Sequence, residues 1–293
     1  MVKDRMKLED VREKIDAVDQ KIRSLFIERM KLAGEVARIK AETGDSIYKP
    51  DREKQIIEQQ SRDMDPDLLM EYRALLRRIM EISRKYQYGR TLELRECYPF
   101  HPEDAAPEIS RMAMTGKEMH LCPFWPGRQV ITAADYGQMG EWIRSGYVDA
   151  GAGVIGEVGR GASDELNSML LRHELYINDC IVSGEDGIKR KIVLFTKHLT
   201  ALPEHNRVKT AFVCPNRSGA LAGILSMIAD YGVNVTEIHS IPFLPENGSW
   251  NYTFFAELEM NMLEKESKAL LFQLSQETEK FRLLGSYFCE GDF

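Results

Sequence analysis

The sequence predicts a multidomain protein: an all-α three-helix domain, then a small α/β lobe, then an α+β ferredoxin-like module of βαββαβ order. Three observations carry that prediction. A 4-3-4-3 apolar spacing runs through the first forty residues. Proline, glycine and short apolar runs set in near residue 91, and a strand–helix–strand–strand–helix–strand pattern starts near Arg207. The expected domain boundaries are 1–92, 93–205 and 206–293.

In the first domain, Val11, Ile15, Val18, Ile22, Leu25, Arg29, Leu32, Val36 and Ile39 form a heptad seam. It predicts a helix from about Leu8 to Ala41, roughly 50 Å long. The segment ETGDSIYKP ends it, and Asp51 opens a second helix, DREKQIIEQQSRD. Asp65 then caps a third, PDLLMEYRALLRRIMEISRKYQ, with Pro66 at its first position. A first helix so much longer than its neighbours leaves apolar surface uncovered. The expected remedy is pairing with its own copy, in a homodimer or higher homo-oligomer.

The middle segment alternates short apolar runs (HLCPFWPGRQVITA, GYVDAGAGVIG, ELYINDCIVSG, KRKIVLFTK) with helical stretches (ADYGQMGEWIRSG, SDELNSMLLRH). In the tail, VKTAFVCP reads as a strand, SGALAGILSMIADYG as a helix closed by Gly232, and VNVTEIHSIPF as a strand. A hairpin turn at Glu246-Asn247-Gly248 leads to the strand SWNYTFFAELEM, the helix LEKESKALLFQLSQETEK and the strand FRLLGSYF.

Composition narrows the function. The net charge of −7 speaks against a nucleic-acid partner, which would call for a basic excess. No apolar run approaches the ~20 residues of a membrane span. The start MVKDRMKLED lacks the apolar core of a secretion signal. The five cysteines, Cys97, Cys122, Cys180, Cys214 and Cys289, are scattered without a CxxC pair and read as reduced thiols of a cytoplasmic protein. Neither a metal nor a cofactor is expected.

Arg29 is the one charged member of the seam. It is either paired with a structural carboxylate, or it snorkels to solvent, or it meets an anionic ligand. Arg12 and Lys40 each lie one residue past a seam position, Arg52 and Glu53 open the second helix, and Ser83 and Gln87 are four apart on the third. A pocket gathering these groups holds four cations, one carboxylate and two neutral hydrogen-bonding groups. It has no nucleophile–base pair and no paired carboxylates. Such a set suits binding a small dianion and steadying developing charge.

Through VREKIDAVDQKIRSLFIERMKLAGEVARIK, IYKPDREKQII and RIMEISRKYQ, residues 8–90 resemble the all-helical chorismate mutase domain of bifunctional chorismate mutase–prephenate dehydratases. The resemblance implies an intertwined dimer and a catalytic set of Arg12, Arg29, Lys40, Arg52, Glu53, Ser83 and Gln87, with Arg12 serving the other protomer's site. The implied reaction is chorismate to prephenate. The arginines clamp the two carboxylates, Lys40 and Gln87 donate to the ether oxygen, and Glu53 accepts from the ring hydroxyl. Lys49 departs from the family, standing where some members carry an aspartate facing the substrate, and an amino-substituted chorismate is therefore a rival substrate.

Residues 134–200 resemble part of a prephenate dehydratase domain, with most of its second lobe missing. Gly156 and Glu157 stand where that family has Glu-Asn, and Lys189, Arg190 and Lys191 where it has Thr-Arg-Phe. The hydroxyl used in dehydration is gone, which implies a relic lobe with lost dehydratase activity. The tail resembles the ACT regulatory domain through NRSGALAGIL. The expected effector, an aromatic amino acid, would meet Gly219, Ala220, Leu221, Asn234 and Ser240. The family's Glu-Ser-Arg-Pro motif is half kept, as His239, Ser240, Ile241 and Pro242. Two further rivals are a true bifunctional enzyme forming phenylpyruvate and a non-catalytic amino-acid-sensing partner of another shikimate-pathway enzyme.

Overall fold

The computed structural model describes residues 7–184, 187–214, 216–244 and 250–290. The turn expected at Glu246-Asn247-Gly248 lies outside the described residues. The chain divides into two compact units, one ending at Cys97 and one beginning at Tyr98.

The first unit is all helical. Helix α1 spans Leu8–Thr43 and is closed by Gly44, whose φ of 75° suits a residue without a Cβ and whose N–H bonds the Lys40 carbonyl. Helix α2 spans Pro50–Gln60, beginning one residue before the expected Asp51 because proline is preorganised for a first helical position. The third helix starts differently from expectation. Pro66–Leu68 forms a 3-10 turn capped by the Asp65 carboxylate, which accepts from the Asp67 N–H at 3.0 Å. Helix α3 proper runs Leu69–Leu94.

Arg29 meets Ser83, Gly34 faces Tyr86, and Ala41 receives a bond from Arg95. Positions thus advance together along both helices, so α1 and α3 run parallel. The small residues Ala33 and Ala37 are the buried ones of α1. The eight aliphatic members of the seam are 36–65% exposed within the single chain.

The second unit is built on one continuous sheet. Its lobe contributes β1 (Arg111–Thr115), β2 (Gln129–Ala133), β3 (Ala150–Glu157), β4 (Gly161–Ala162), β5 (Tyr176–Ser183) and β6 (Arg190–Thr196), with α4 (Tyr136–Ser145) and α5 (Asp164–Arg172). The tail contributes β7 (Arg207–Cys214), α6 (Ala220–Asp230), β8 (Asn234–Phe243), β9 (Asn251–Glu259), α7 (Lys265–Glu277) and β10 (Glu279–Tyr287), the βαββαβ order read from the sequence. The strand order is β2-β1-β3-β6-β5-β10-β7-β9-β8, with β4 on β3. Lobe and tail join where β5 and β10 pair in parallel at Ile177 and Gly285. A Cβ on Gly285 would fall 2.2 Å from the Ile177 carbonyl oxygen, so only glycine permits this approach.

The helices α4 and α5 bury Met139, Ile143, Leu166 and Leu170 in a core shared with Phe195, Phe255 and Tyr287. A second core lies under α6 and α7, around Phe212, Ile228, Leu258 and Leu271. A buried ionic cluster ties β6 to the tail strands. Lys191 Nζ donates to both Glu257 oxygens at 2.8 and 2.7 Å, and Lys209 Nζ donates to Glu237 at 2.6 Å. Strands β5 and β6 are antiparallel from Ser183↔Arg190 onward, so the connection between them is only residues 184–189.

Candidate active site and effector region

The candidate site lies where the C-terminal half of α1 meets α3 and the start of α2. The half-buried Arg29 guanidinium donates from Nη1 to the Ser83 hydroxyl and to the Ile79 carbonyl, the latter at 3.3 Å. Both acceptors are neutral. Burial lowers the Arg29 pKa, and the Glu53 carboxylate opposes that shift. Among the described residues no carboxylate stands at ion-pair distance from Arg29.

Lys40 lies three turns further along α1, on the same side as Arg29. Its Nζ donates to the Ile47 carbonyl at 2.8 Å. Burial lowers its pKa, the neighbouring Lys49 ammonium lowers it further, and Asp45 and Glu53 push back. Glu53 thus acts electrostatically on both Arg29 and Lys40, which places the three in one field. Lys49 itself is tied to Asp45 at 2.5 Å, an exposed pair on the α1–α2 connection.

Ser83 and Gln87 are buried one turn apart on α3. Ser83 Oγ donates to Ile79 O at 2.8 Å while it accepts from Arg29. The Gln87 amide is nine-tenths buried and its Oε1 has no hydrogen-bond partner. An orphaned buried amide oxygen costs about 1–3 kcal/mol, and since it accepts, the partner it lacks is a donor.

Two members of the expected set stand apart. Arg52 is exposed on the first turn of α2. Arg12 lies 17 residues before Arg29 on the same helix, about 25 Å away along its axis. Within one chain Arg12 therefore does not join the pocket.

One pocket residue escaped the sequence reading. Arg84 Nη1 donates to both Glu53 oxygens at 2.6 Å, and the guanidinium lies over the Tyr48 ring at 4.8 Å. It follows Ser83 in a stretch rich in arginine and lysine, where no spacing distinguishes it from a solvated charge.

In the tail, Gly219 caps α6 with φ 79°, and Ala220 and Leu221 form the helix's first turn. Ser240 lies on the edge strand β8 toward the same end of the sheet, since β7 closes at Cys214 opposite Tyr252, which pairs with Pro242. Asn234 begins β8, about 20 Å from Ser240 along the strand. It donates to Glu259 at 3.1 Å. One chain thus places Gly219, Ala220, Leu221 and Ser240 toward one end of the sheet and leaves Asn234 toward the other.

In the lobe, Arg190 donates to Glu157 at 3.0 Å and Arg160 pairs with the same carboxylate at 3.1 Å. Lys191 is fully committed to the buried cluster. No helix of the described residues is long and apolar enough to cross a membrane.

Comparison with known proteins fits this layout. Residues 11–88 match the chorismate mutase type II family and residues 210–274 match the ACT domain. A bifunctional chorismate mutase/prephenate dehydratase of Aquifex aeolicus (strain VF5) is 21% identical over 363 residues, covering 96% of this chain and 97% of the relative. A chorismate mutase of Methanocaldococcus jannaschii is 50% identical over 50 residues, 17% of this chain and 50% of that one.

Three solved structures share the fold. A quorum-quenching acylase gives a TM-score of 0.54 at 18% identity, covering 61% of this chain and 95% of its own. Prephenate dehydratase from Streptococcus mutans gives 0.52 at 20%, covering 61% and 97%. Prephenate dehydratase from Arthrobacter aurescens in complex with L-Phe gives 0.50 at 14%, covering 62% and 90%. The chain carries a chorismate mutase type II domain and an ACT domain, and along nearly its whole length it is homologous to the bifunctional chorismate mutase/prephenate dehydratases.

Proposed function

We propose that the protein is a chorismate mutase whose dehydratase lobe has lost its own chemistry and whose ACT tail binds an aromatic amino acid. The three segments 1–92, 93–205 and 206–293 carry these roles in turn. The observation that carries the mutase reading is the pocket's state of preparation. Arg29 is desolvated with only neutral acceptors, and Gln87 is buried with its amide oxygen unpaired. Arg29 and Arg52, with Arg12 reaching in from a second copy, hold the two carboxylates and keep the enolpyruvyl arm over the ring. Lys40 and Gln87 donate to the ether oxygen as the C–O bond breaks, and Glu53 accepts from the ring hydroxyl. No covalent intermediate and no proton transfer are needed.

The exposed seam supports a homodimer, since its eight aliphatic side chains stay 36–65% exposed within one chain. A cytoplasmic setting agrees with the biosynthetic relatives. The A. aeolicus relative favours a second reading, full bifunctionality, because it is covered over 97% of its length. Against it stand the six-residue β5–β6 connection and the 363-residue alignment, which leaves at least 70 residues of the relative without a counterpart in this 293-residue chain. The replaced hydroxyl at Lys189 and the neutralised Arg190 argue the same way. The ACT reading draws on the L-Phe complex of the A. aurescens protein, with Asn234 supplied by another copy.

The test is to incubate purified protein with chorismate, follow prephenate, and assay phenylpyruvate without acid treatment. Prephenate without phenylpyruvate is expected. Enzyme-made phenylpyruvate overturns the lost-dehydratase part, and untouched chorismate overturns the whole. Titration with phenylalanine and tyrosine, reading mutase rate and oligomer size, tests the tail.

A further inference from the structure

We infer that Arg84 is a positioning residue for the mutase pocket, acting through Glu53. The inference rests on the mutase reading and adds to it a residue that the expected catalytic set lacks. Glu53 is the only carboxylate in that set, and its proposed task is to accept from the substrate's ring hydroxyl. A carboxylate can do so only if its oxygens are held at the right place before the ligand arrives.

Arg84 supplies that hold. Its Nη1 bridges Oε1 and Oε2 symmetrically, at 2.6 Å to each. The Arg84 side chain is 10% exposed and Glu53 24%, so the pair is largely shielded from water. The guanidinium plane is fixed in turn by the Tyr48 ring at 4.8 Å, from the connection that leads into α2. Arg84 sits next to Ser83, which anchors Arg29. One turn of α3 thus sets both the cation that meets a substrate carboxylate and the anion that meets the ring hydroxyl. With both oxygens engaged on one side, each keeps lone pairs for a hydroxyl donor on the other.

The pairing also has an electrostatic consequence. Glu53 acts on Arg29 and Lys40. A carboxylate left loose in the pocket would swing toward these cations and occupy the position meant for substrate oxygens. Arg84 keeps it away from them.

The experiment compares kcat/KM for chorismate in wild type, Arg84→Met, Arg84→Lys, Glu53→Gln and the Arg84→Met/Glu53→Gln double variant. Methionine keeps the side chain's length and removes the charge, while lysine keeps the charge as a single point donor. Arg84→Met is expected to lose at least tenfold. Arg84→Lys should retain several times the activity of Arg84→Met. The double variant should lose little beyond Glu53→Gln alone, because a residue that works through Glu53 has nothing left to position. A merely structural arginine gives full additivity instead.

Additive losses, or equal losses for lysine and methionine, overturn the inference while the mutase reading stands. If Arg84→Met does not fold, the Arg84→Lys/Glu53→Gln cycle decides by the same criterion. A wild-type protein that leaves chorismate untouched overturns both.

Discussion

Replacing Arg29 with alanine removes a guanidinium that is half-buried, lowered in pKa by burial, and bonded only to Ser83 and the Ile79 carbonyl. In the free protein little is lost. Two bonds from the charged donor at about 1.5–3 kcal/mol each disappear, and the desolvation cost of the cation, which offsets them, disappears with them. The net change in stability should stay within roughly 1 kcal/mol, a Tm shift of a few degrees. The loss in the complex is larger. A charge-assisted bond is worth about 1.5–3 kcal/mol and a guanidinium offers a carboxylate two. A loss of about 3–5 kcal/mol corresponds to 100-fold or more in kcat/KM at about 1.4 kcal/mol per decade. Following chorismate consumption at several substrate concentrations beside a thermal melt separates the two effects. A loss below tenfold, or an activity loss explained by unfolding, would refute the role given to Arg29.

Other consequences follow from the same geometry. Leu25 is 65% exposed in the seam, so Leu25→Asp should split the proposed dimer and lower kcat/KM at least tenfold, read by sedimentation velocity and rate together; an intact, active dimer would contradict the proposed intertwined arrangement. The role proposed for Lys40, steadying negative charge on the ether oxygen, calls for an ammonium, and burial followed by the Lys49 charge lowers its pKa. The alkaline fall of kcat/KM should therefore begin below the ordinary lysine value of about 10.4, and Lys49→Ala should move it upward. Lys191→Met leaves the buried Glu257 carboxylate without its main cation and should cost about 3–5 kcal/mol by denaturant titration. Pairing it with Glu257→Gln should recover a large part of that cost.

The helical unit was legible because its signals are local. The seam set the length of α1, Gly44 and Pro50 marked the break, and Asp65 marked the start of the third segment. The pocket residues Arg29, Lys40, Glu53, Ser83 and Gln87 followed from charge on an apolar face and from resemblance. Arg84 did not, because its role depends on which way a carboxylate from another helix points, and helical spacing carries no such information. The separation of lobe and tail at residue 205/206 reflected composition. The pairing of Ile177 with Gly285 joins them in one sheet across 108 residues of sequence, a contact with no local signature beyond a glycine. The buried Lys191 is a similar case. In KRKIVLFTK nothing local marks it as buried, and its partner Glu257 lies on a tail strand.

The most direct measurement is a single-turnover NMR time course of chorismate mixed with a molar excess of the full chain. The account predicts that prephenate appears mole for mole as chorismate disappears, far faster than in buffer, and then persists. Chorismate decaying no faster than in buffer would contradict it.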